Sequence, residues 1–258
     1  MKKSIVIVAL SLFLSTVVFA QNQKLIFNTQ EFSPFNYSVN GKASGPVVDI
    51  IKEVCVINSF ECIFKVHNWK RAQNIVKIGK ADALFVVGKN KKRESWLHFT
   101  LPIITTEYGF FVLNSNDLQY KKISDIQGYN VGVFGPSNTS LSLKNIDKKL
   151  RSQKLKSLKI RVLEDDIPVF KQLSQAKKGI KAVFSNKDVG NSIIKQNDLQ
   201  NLRYAGKQRE LNYYIALSKR TVSKETVNKF NNTLSNMHKS NRLQEILDNY
   251  NLQSATLK

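Results

Sequence analysis

The sequence predicts an α/β fold in two lobes, on three observations. Short apolar strands alternate with helically spaced segments. The alternation runs once to about Leu113 and starts again near Ile123. The chain beyond an N-terminal apolar leader, residues 21–258, is long for one compact core and natural for two.

The elements follow in order. Lys24–Thr29 (KLIFNT) reads as a strand and Phe32-Ser33-Pro34-Phe35 as an aromatic loop. Asn40-Gly41 marks a turn. Val47, Ile50, Ile51 and Val54 repeat at helical spacing, and Cys62–Val66 is a strand. Trp69–Ile78 reads as a helix ended by Gly79. Ala81–Val87 (ADALFVV) has the continuous apolar character of a strand covered on both faces, and Tyr108–Leu113 (YGFFVL) is another strand. In the second round, Val131–Phe134, Ile160–Leu163, Ile180–Ser185 and Tyr213–Ser218 are strands. The loop Gly135–Thr139 opens a helix, Val169–Ala176 forms a second, and Val222–Tyr250 holds two more, broken near Ser240-Asn241.

The leader reads as an export signal. Lys2 and Lys3 precede the uncharged stretch Ile5–Phe19, Val18-Phe19-Ala20 offers small residues around a cleavage point, and Gln21-Asn22-Gln23 turns polar. Cleavage is expected after Ala20, which places residues 1–20 in the signal peptide and the protein in the periplasm. No later segment is long and apolar enough to span a bilayer.

Forty Lys and Arg against nineteen Asp and Glu give a formal charge of +21. Such a field attracts anionic lipid, polysaccharide, nucleic acid or an acidic ligand. The basic residues are dispersed, however; KNKKR (89–93) and KKLRSQKLKSLK (148–159) are the densest runs, the second reads as a solvated face, and no specific nucleic acid is expected. Cys55 and Cys62 stand either as one disulfide or as two buried thiols. His67, His98 and His238 are scattered and no CxxC or HxxxH spacing occurs, so no metal is expected, and nothing in the sequence asks for a cofactor. There is no GxSxG and no phosphate-binding glycine loop; Glu31 and Glu107 are expected near the cleft between the lobes, but neither sits in a recognisable acid–base pair. A binding module is expected, not an enzyme.

The segments FSPF (32–35), GPVVDI (45–50), GKADALF (79–85), Arg93 followed by FTLP (99–102), ISDIQGYNVGVFG (123–135), GIKAVFSN (179–186) and YYIALSK (213–219) stand in an order and spacing that resembles one family. It is the bacterial extracellular solute-binding proteins of family 3, the periplasmic amino-acid-binding components of ABC importers. The resemblance covers essentially the whole chain after the leader. It implies a two-lobed periplasmic-binding-protein-like fold of type II, in which two hinge crossovers join the lobes and ligand is trapped between them. Transferred here, lobe one is 22–112 plus 213–258 and lobe two is 117–210. The hinges fall near Asn114–Asn116 and Leu211–Tyr213. The Cys55–Cys62 spacing matches a disulfide of some basic-amino-acid binders in the family.

The resemblance also implies a site. Arg93 would fork onto a ligand carboxylate, for which a planar guanidinium is suited. Phe32 and Trp69 would be its aromatic walls. Ser137, Asn138 and Thr139 would offer helix N-terminal N–H groups. The family usually carries an aspartate after the strand IKAVFS, facing the ligand's ammonium; here Asn186 stands there, with Asp188 two residues on. The segment VVGKNKK (86–92) lacks the usual serine and threonine. The implied partners are a small-molecule ligand, an amino acid or a related carboxylate, and an ABC permease in the inner membrane, with the chain acting as a monomer. A ligand-sensing module for a membrane partner, or a dehydratase-like enzyme on the same fold, is the alternative.

Overall fold

The computed structural model describes residues 22–257, so the expected signal peptide and its cleavage point lie outside the described residues. The elements in chain order are β1 (Lys24–Thr29), β2 (Tyr37–Val39), β3 (Lys42–Ser44), α1 (Pro46–Ile57), β4 (Glu61–Val66), α2 (Trp69–Lys77) and β5 (Ala83–Gly88). Next come α3 (Lys91–Glu94), β6 (Leu97–Leu113), β7 (Asn130–Phe134), α4 (Asn138–Ser152) and β8 (Lys159–Leu163). They are followed by α5 (Asp166–Ser174), β9 (Ala182–Asn186), α6 (Lys187–Gln196), β10 (Leu202–Ser218), α7 (Lys224–Lys239), α8 (Arg242–Asp248) and β11 (Gln253–Ser254).

Local chemistry accounts for the boundaries. Asn40 and Gly41 both take positive φ, which is what a two-residue hairpin between β2 and β3 requires. Proline at the first helical position starts α1, and Gly45 before it sits at φ +108, where a Cβ would come within 2.9 Å of the Asn36 Cα. Asn68 caps α2 by accepting from the N–H groups of Lys70 and Arg71. Asn241, in the left-handed region, separates α7 from α8 at the expected break.

The sheet order is β4-β1-β5-β10-β6-β9-β7-β8, with β11 added on β6. Its centre is a ribbon of two antiparallel strands of 17 residues, β6 and β10, paired from Leu97–Ser218 to Leu113–Leu202. At one end of the ribbon β10 carries β5, through Tyr213–Leu217, and beyond it β1 and β4 in parallel. At the other end β6 carries β9, through Tyr108–Phe111, and beyond it β7 and β8 in parallel. The strands therefore change from one half to the other around Thr105–Glu107, opposite Glu210–Asn212. That differs from the first crossover expected at Asn114–Asn116: the pairing puts residues 108–111 with the second half.

Each half packs helices on both faces of its strands. In the first, Leu25 and Phe27 of β1 face α1 and α7, with Phe27 stacked 5.6 Å from Phe64 and tilted 5.9 Å from Phe230. Ile26 and Leu84 face α2, against Trp69, Ala72 and Val76. In the second half, Phe110, Val131, Val133 and Phe184 meet Leu143, Ile146 and Leu150 of α4. Burying each such large side chain contributes about 1.5–3 kcal/mol. Cys55 and Cys62 form a disulfide with Cα atoms 6.3 Å apart, tying the end of α1 to β4. A loop this short contributes ~2.5 kcal/mol by restricting the unfolded chain. No helix of the described residues is long and apolar enough to cross a membrane.

Candidate functional site

A cleft runs between the two halves on the side where β1, β5 and β7 end, and it has two connected parts. The outer chamber, of about 630 Å³, is lined from the first half by the β1–β2 loop (Gln30–Ser33) and by His67–Trp69. From the second half it is lined by Phe134, the segment Glu164–Ile167 and one face of α6. The inner recess is narrow, about 30 Å³, and adds Val86, Gly88, Tyr108, Ser137–Thr139 and Tyr213. Gln30, Phe32, Trp69 and Phe134 border both.

Five of the sequence-predicted residues line this recess together: Phe32, Trp69, Ser137, Asn138 and Thr139. Phe32 packs on Phe35 and sets its ring edge-on to Tyr213 at 5.8 Å. Trp69, the first residue of α2, carries the Arg93 guanidinium 5.2 Å from its ring. Ser137 caps α4 through a reciprocal pair with Ser140, each side chain accepting the other's backbone N–H at 3.1 Å. Asn138 bridges the halves, its Oδ1 accepting from Asn90 Nδ2 at 2.6 Å.

Arg93 lines neither part of the cleft; it is only 7% exposed and lies behind Gly88 and Trp69, which do line the recess. Asn90 caps its short helix, and the guanidinium donates to the Gly88 carbonyl at 2.8 Å and to Gln73 Oε1 at 3.2 Å. Both acceptors are neutral, and among the described residues Arg93 takes part in no ion pair. Burial pulls its pKa below the ordinary arginine value, opposed by the phenols of Tyr108 and Tyr213.

Asn186 is placed elsewhere. Its Nδ2 donates to Thr106 Oγ1 at 2.8 Å and lies 3.4 Å from Tyr213 Oη, while Oδ1 accepts from Val189 N as the cap of α6. It borders neither part of the cleft. Asp188 accepts from the same Thr106 hydroxyl at 2.6 Å and borders a different groove, beside Tyr250. Glu107 is held by Lys187 and Lys207 at 3.2 and 3.8 Å.

The profile of the bacterial extracellular solute-binding proteins, family 3, matches residues 25–253. The chain belongs to that family. A probable histidine-binding protein of Campylobacter jejuni is 28% identical over 136 residues, 51% of this chain and 51% of that protein, so the match spans about half the length of this curated relative. The fold is shared with solved structures at low identity. A histidine kinase sensor domain with similarity to periplasmic binding proteins superposes with a TM-score of 0.79 at 16% identity, over 91% of this chain and 99% of that one. An ancestral arginine-binding protein bound to arginine does so at 0.76 and 22%, over 89% and 99%. The arginine-, lysine-, histidine-binding protein ArtJ of Geobacillus stearothermophilus gives 0.74 and 19%, over 89% and 95%. All are two-lobed binding folds, as this family member is.

In this family member the outer chamber holds Glu31, expected near the cleft, and residues that the sequence reading did not select: His67, Glu164, Asp165 and Asp166. The run EDD directly after strand β8 was the signal for Glu164, Asp165 and Asp166, since loops at strand ends line clefts in α/β folds. Asp165 caps α5 by accepting from Ile167 N at 3.1 Å. Burial, reinforced by the neighbouring Asp165 charge, raises the Asp166 carboxyl to about 7, with the Ser185 hydroxyl opposing. Burial, with Arg71 and Lys65 nearby, lowers His67, which favours a neutral imidazole at pH 7.

Proposed function

We propose that this chain captures a small amino acid, or a closely related carboxylate, between its halves outside the cytoplasm and presents the closed form to an ABC permease in the inner membrane. Export through the leader of residues 1–20 and action as a single chain belong to this reading, as does binding without chemistry on the ligand. The observation that carries it is the guanidinium of Arg93. A buried cation without an anionic partner costs several kcal/mol. Arg93 uses two neutral acceptors for five N–H donors and stands against the recess that Ser137, Asn138 and Thr139 close from the other side. A carboxylate entering there meets charge-assisted donors from Arg93 and the N-terminal N–H groups of α4. The two sets of donors belong to different halves, so the anion favours the closed arrangement by as much as it binds that form better.

The second reading is a sensing module for a membrane partner, favoured by the likeness to a histidine kinase sensor domain. Both readings need ligand capture. Calorimetric titration of residues 21–258 with the twenty amino acids is expected to give saturable binding by some of them. Arg93→Gln is expected to weaken that binding at least ~30-fold, the range for removing one partner of a buried charge pair. Binding by none of the panel, or full affinity in Arg93→Gln, would sink the proposal.

A further inference from the structure

We propose that Asp166 receives a positively charged group of the ligand, in the place that Asn186 cannot fill, and that the solute caught here is an amino acid whose side chain is itself cationic. This rests on the capture role proposed above and narrows it. The first ground is the contrast between the cleft and the rest of the molecule. The chain carries 40 Lys and Arg against 19 Asp and Glu, yet its outer chamber is lined by four acids, Glu31, Glu164, Asp165 and Asp166, and by no lysine or arginine. The four come from both halves, so closure gathers them around whatever occupies the chamber.

Their hydrogen bonding separates their roles. Asp165 is engaged as the cap of α5, and Glu31 accepts from Ser38 N at 3.1 Å. Asp166 has one long contact, 3.4 Å from the Ser185 hydroxyl, which leaves most of its acceptor capacity for a ligand. It lines the outer chamber together with Gln30, Phe32, Trp69 and Phe134, the four residues that the outer chamber shares with the inner recess. The second and independent ground is Arg93, 7% exposed, without an acid partner among the described residues, and set behind Gly88 and Trp69 of that same recess. One end of the cleft thus asks for an anion and the other for cations. A zwitterion with one ammonium satisfies Asp166, and a further side-chain cation answers the remaining acids of a chamber that is much roomier than the recess. Asn186 and Asp188, the residues in sequence register for the ammonium contact, are both turned to Thr106.

The charged and titratable groups around Asp166 are Glu164 and Asp165 on its own segment, Tyr213 on β10, and Glu31 and His67 across the chamber. Burial and Asp165 hold Asp166 partly protonated near neutrality, and a cation arriving beside it reverses that bias. Binding of a cationic group therefore releases a proton, and affinity falls as pH drops from 7 toward 5.

Calorimetry on residues 21–258 tests this with L-arginine, L-lysine, L-glutamine, L-glutamate and agmatine (arginine without its carboxylate), at pH 7 in two buffers of different ionisation enthalpy. Arginine and lysine are expected to bind tightest, with proton release, and agmatine to be much weaker because it leaves Arg93 unanswered. Asp166→Asn is expected to lose at least ~30-fold for arginine and lysine, together with the proton release. Asp166→Glu restores part of both, and Asp188→Asn stays within about threefold of the parent, as expected for a group hydrogen-bonded away from the cleft. Cooperative thermal unfolding of each unliganded variant checks that it is folded. Glutamine or glutamate binding more tightly than arginine and lysine would overturn the cation assignment while leaving capture intact. Unchanged affinity in Asp166→Asn, or a collapse in Asp188→Asn instead, would overturn the role of Asp166. Binding by no amino acid would remove both proposals together.

Discussion

At the scale of single residues, the cleft holds two charges in unfavourable surroundings: a guanidinium without an acid and a carboxylate raised to about 7. Groups kept this way are a stability cost in the unliganded protein, and the sign of that cost can be worked out for Asp166. Its folded pKa lies above the value near 3.9 expected for an unfolded chain. Between roughly pH 4 and 7 the unfolded state sheds this proton while the folded state keeps it. The group therefore lowers folding stability as pH rises through that window, by an amount that levels off above about pH 7, and has little effect below pH 4. Asp166→Asn is expected to raise the unfolding free energy of the unliganded protein at pH 8, by an amount on the order of 1–2 kcal/mol, and to leave it almost unchanged at pH 3.5. Chemical denaturation at the two pH values measures both. A loss of stability at pH 8 would mean that the carboxylate is structurally engaged and contradict its availability for a ligand. Residue-scale legibility was uneven for a related reason. Arg93, Phe32, Trp69 and Ser137–Thr139 could be named because they sit inside recognisable runs. Asp166 belongs to the run EDD after strand β8, which marks a strand-end loop but not a role, and only the packing of the two halves shows that it faces the chamber.

At the scale of elements, the end of β5 and the start of α4 meet at Gly88. A Cβ built there collides with Asn138 Nδ2, and Asn138 also holds Asn90 from the opposite half. Gly88 is thus one place where the halves touch, as Ser33 against Ser192 and Gln196 is another, and its lack of a side chain limits how near they come there. Gly88→Ala is expected to keep the fold, since its backbone is ordinary extended strand, and to weaken ligand capture about fivefold or more by holding Asn138 away; a ~1–3 kcal/mol overpacking cost converts to that range. Small-angle scattering with and without ligand would show whether the variant fails to close, and unaltered affinity would remove the contact from the closing mechanism. Elements also show where sequence patterning runs out. Strand β6 begins at Leu97, although Pro102 lies inside it, because register shifts in β10 at Tyr213–Ala216 absorb the missing donor. The first half of β10, LRYAGKQRELN, is polar and half-exposed, so it carries no strand period; its conformation comes from pairing with β6. Helix α5 begins before Pro168, since a proline in the first turn gives up only an N–H that has no helical partner.

At the scale of the molecule, the two halves share one continuous ribbon, and the positions where strands change sides are Thr105–Glu107 and Glu210–Asn212. Thr106 sits at that point between Asn186 and Asp188, donating to one and accepting from the other, so the residues that the family's pattern would aim at the ligand are tied to the hinge. The whole-molecule feature left to account for is the charge. A net charge of +21, of which Lys2 and Lys3 in the leader supply two, surrounds a cleft lined by acids. At low ionic strength the field of the whole protein reaches ~30 Å and repels a cation approaching from bulk; near 0.15 M salt it is cut to about 8 Å, the scale over which the acids of the chamber mouth act. Encounter of arginine or lysine with this protein is therefore expected to speed up, by a few fold, as salt rises from 10 to 150 mM. The bound state, held in a drier cleft, is screened less, so the dissociation rate should change little. Stopped-flow measurement of Trp69 fluorescence over that salt range separates the two rates. An association rate that falls with added salt would mean that the acidic mouth governs approach even at long range, and the surrounding basic surface would then have no part in how ligand arrives.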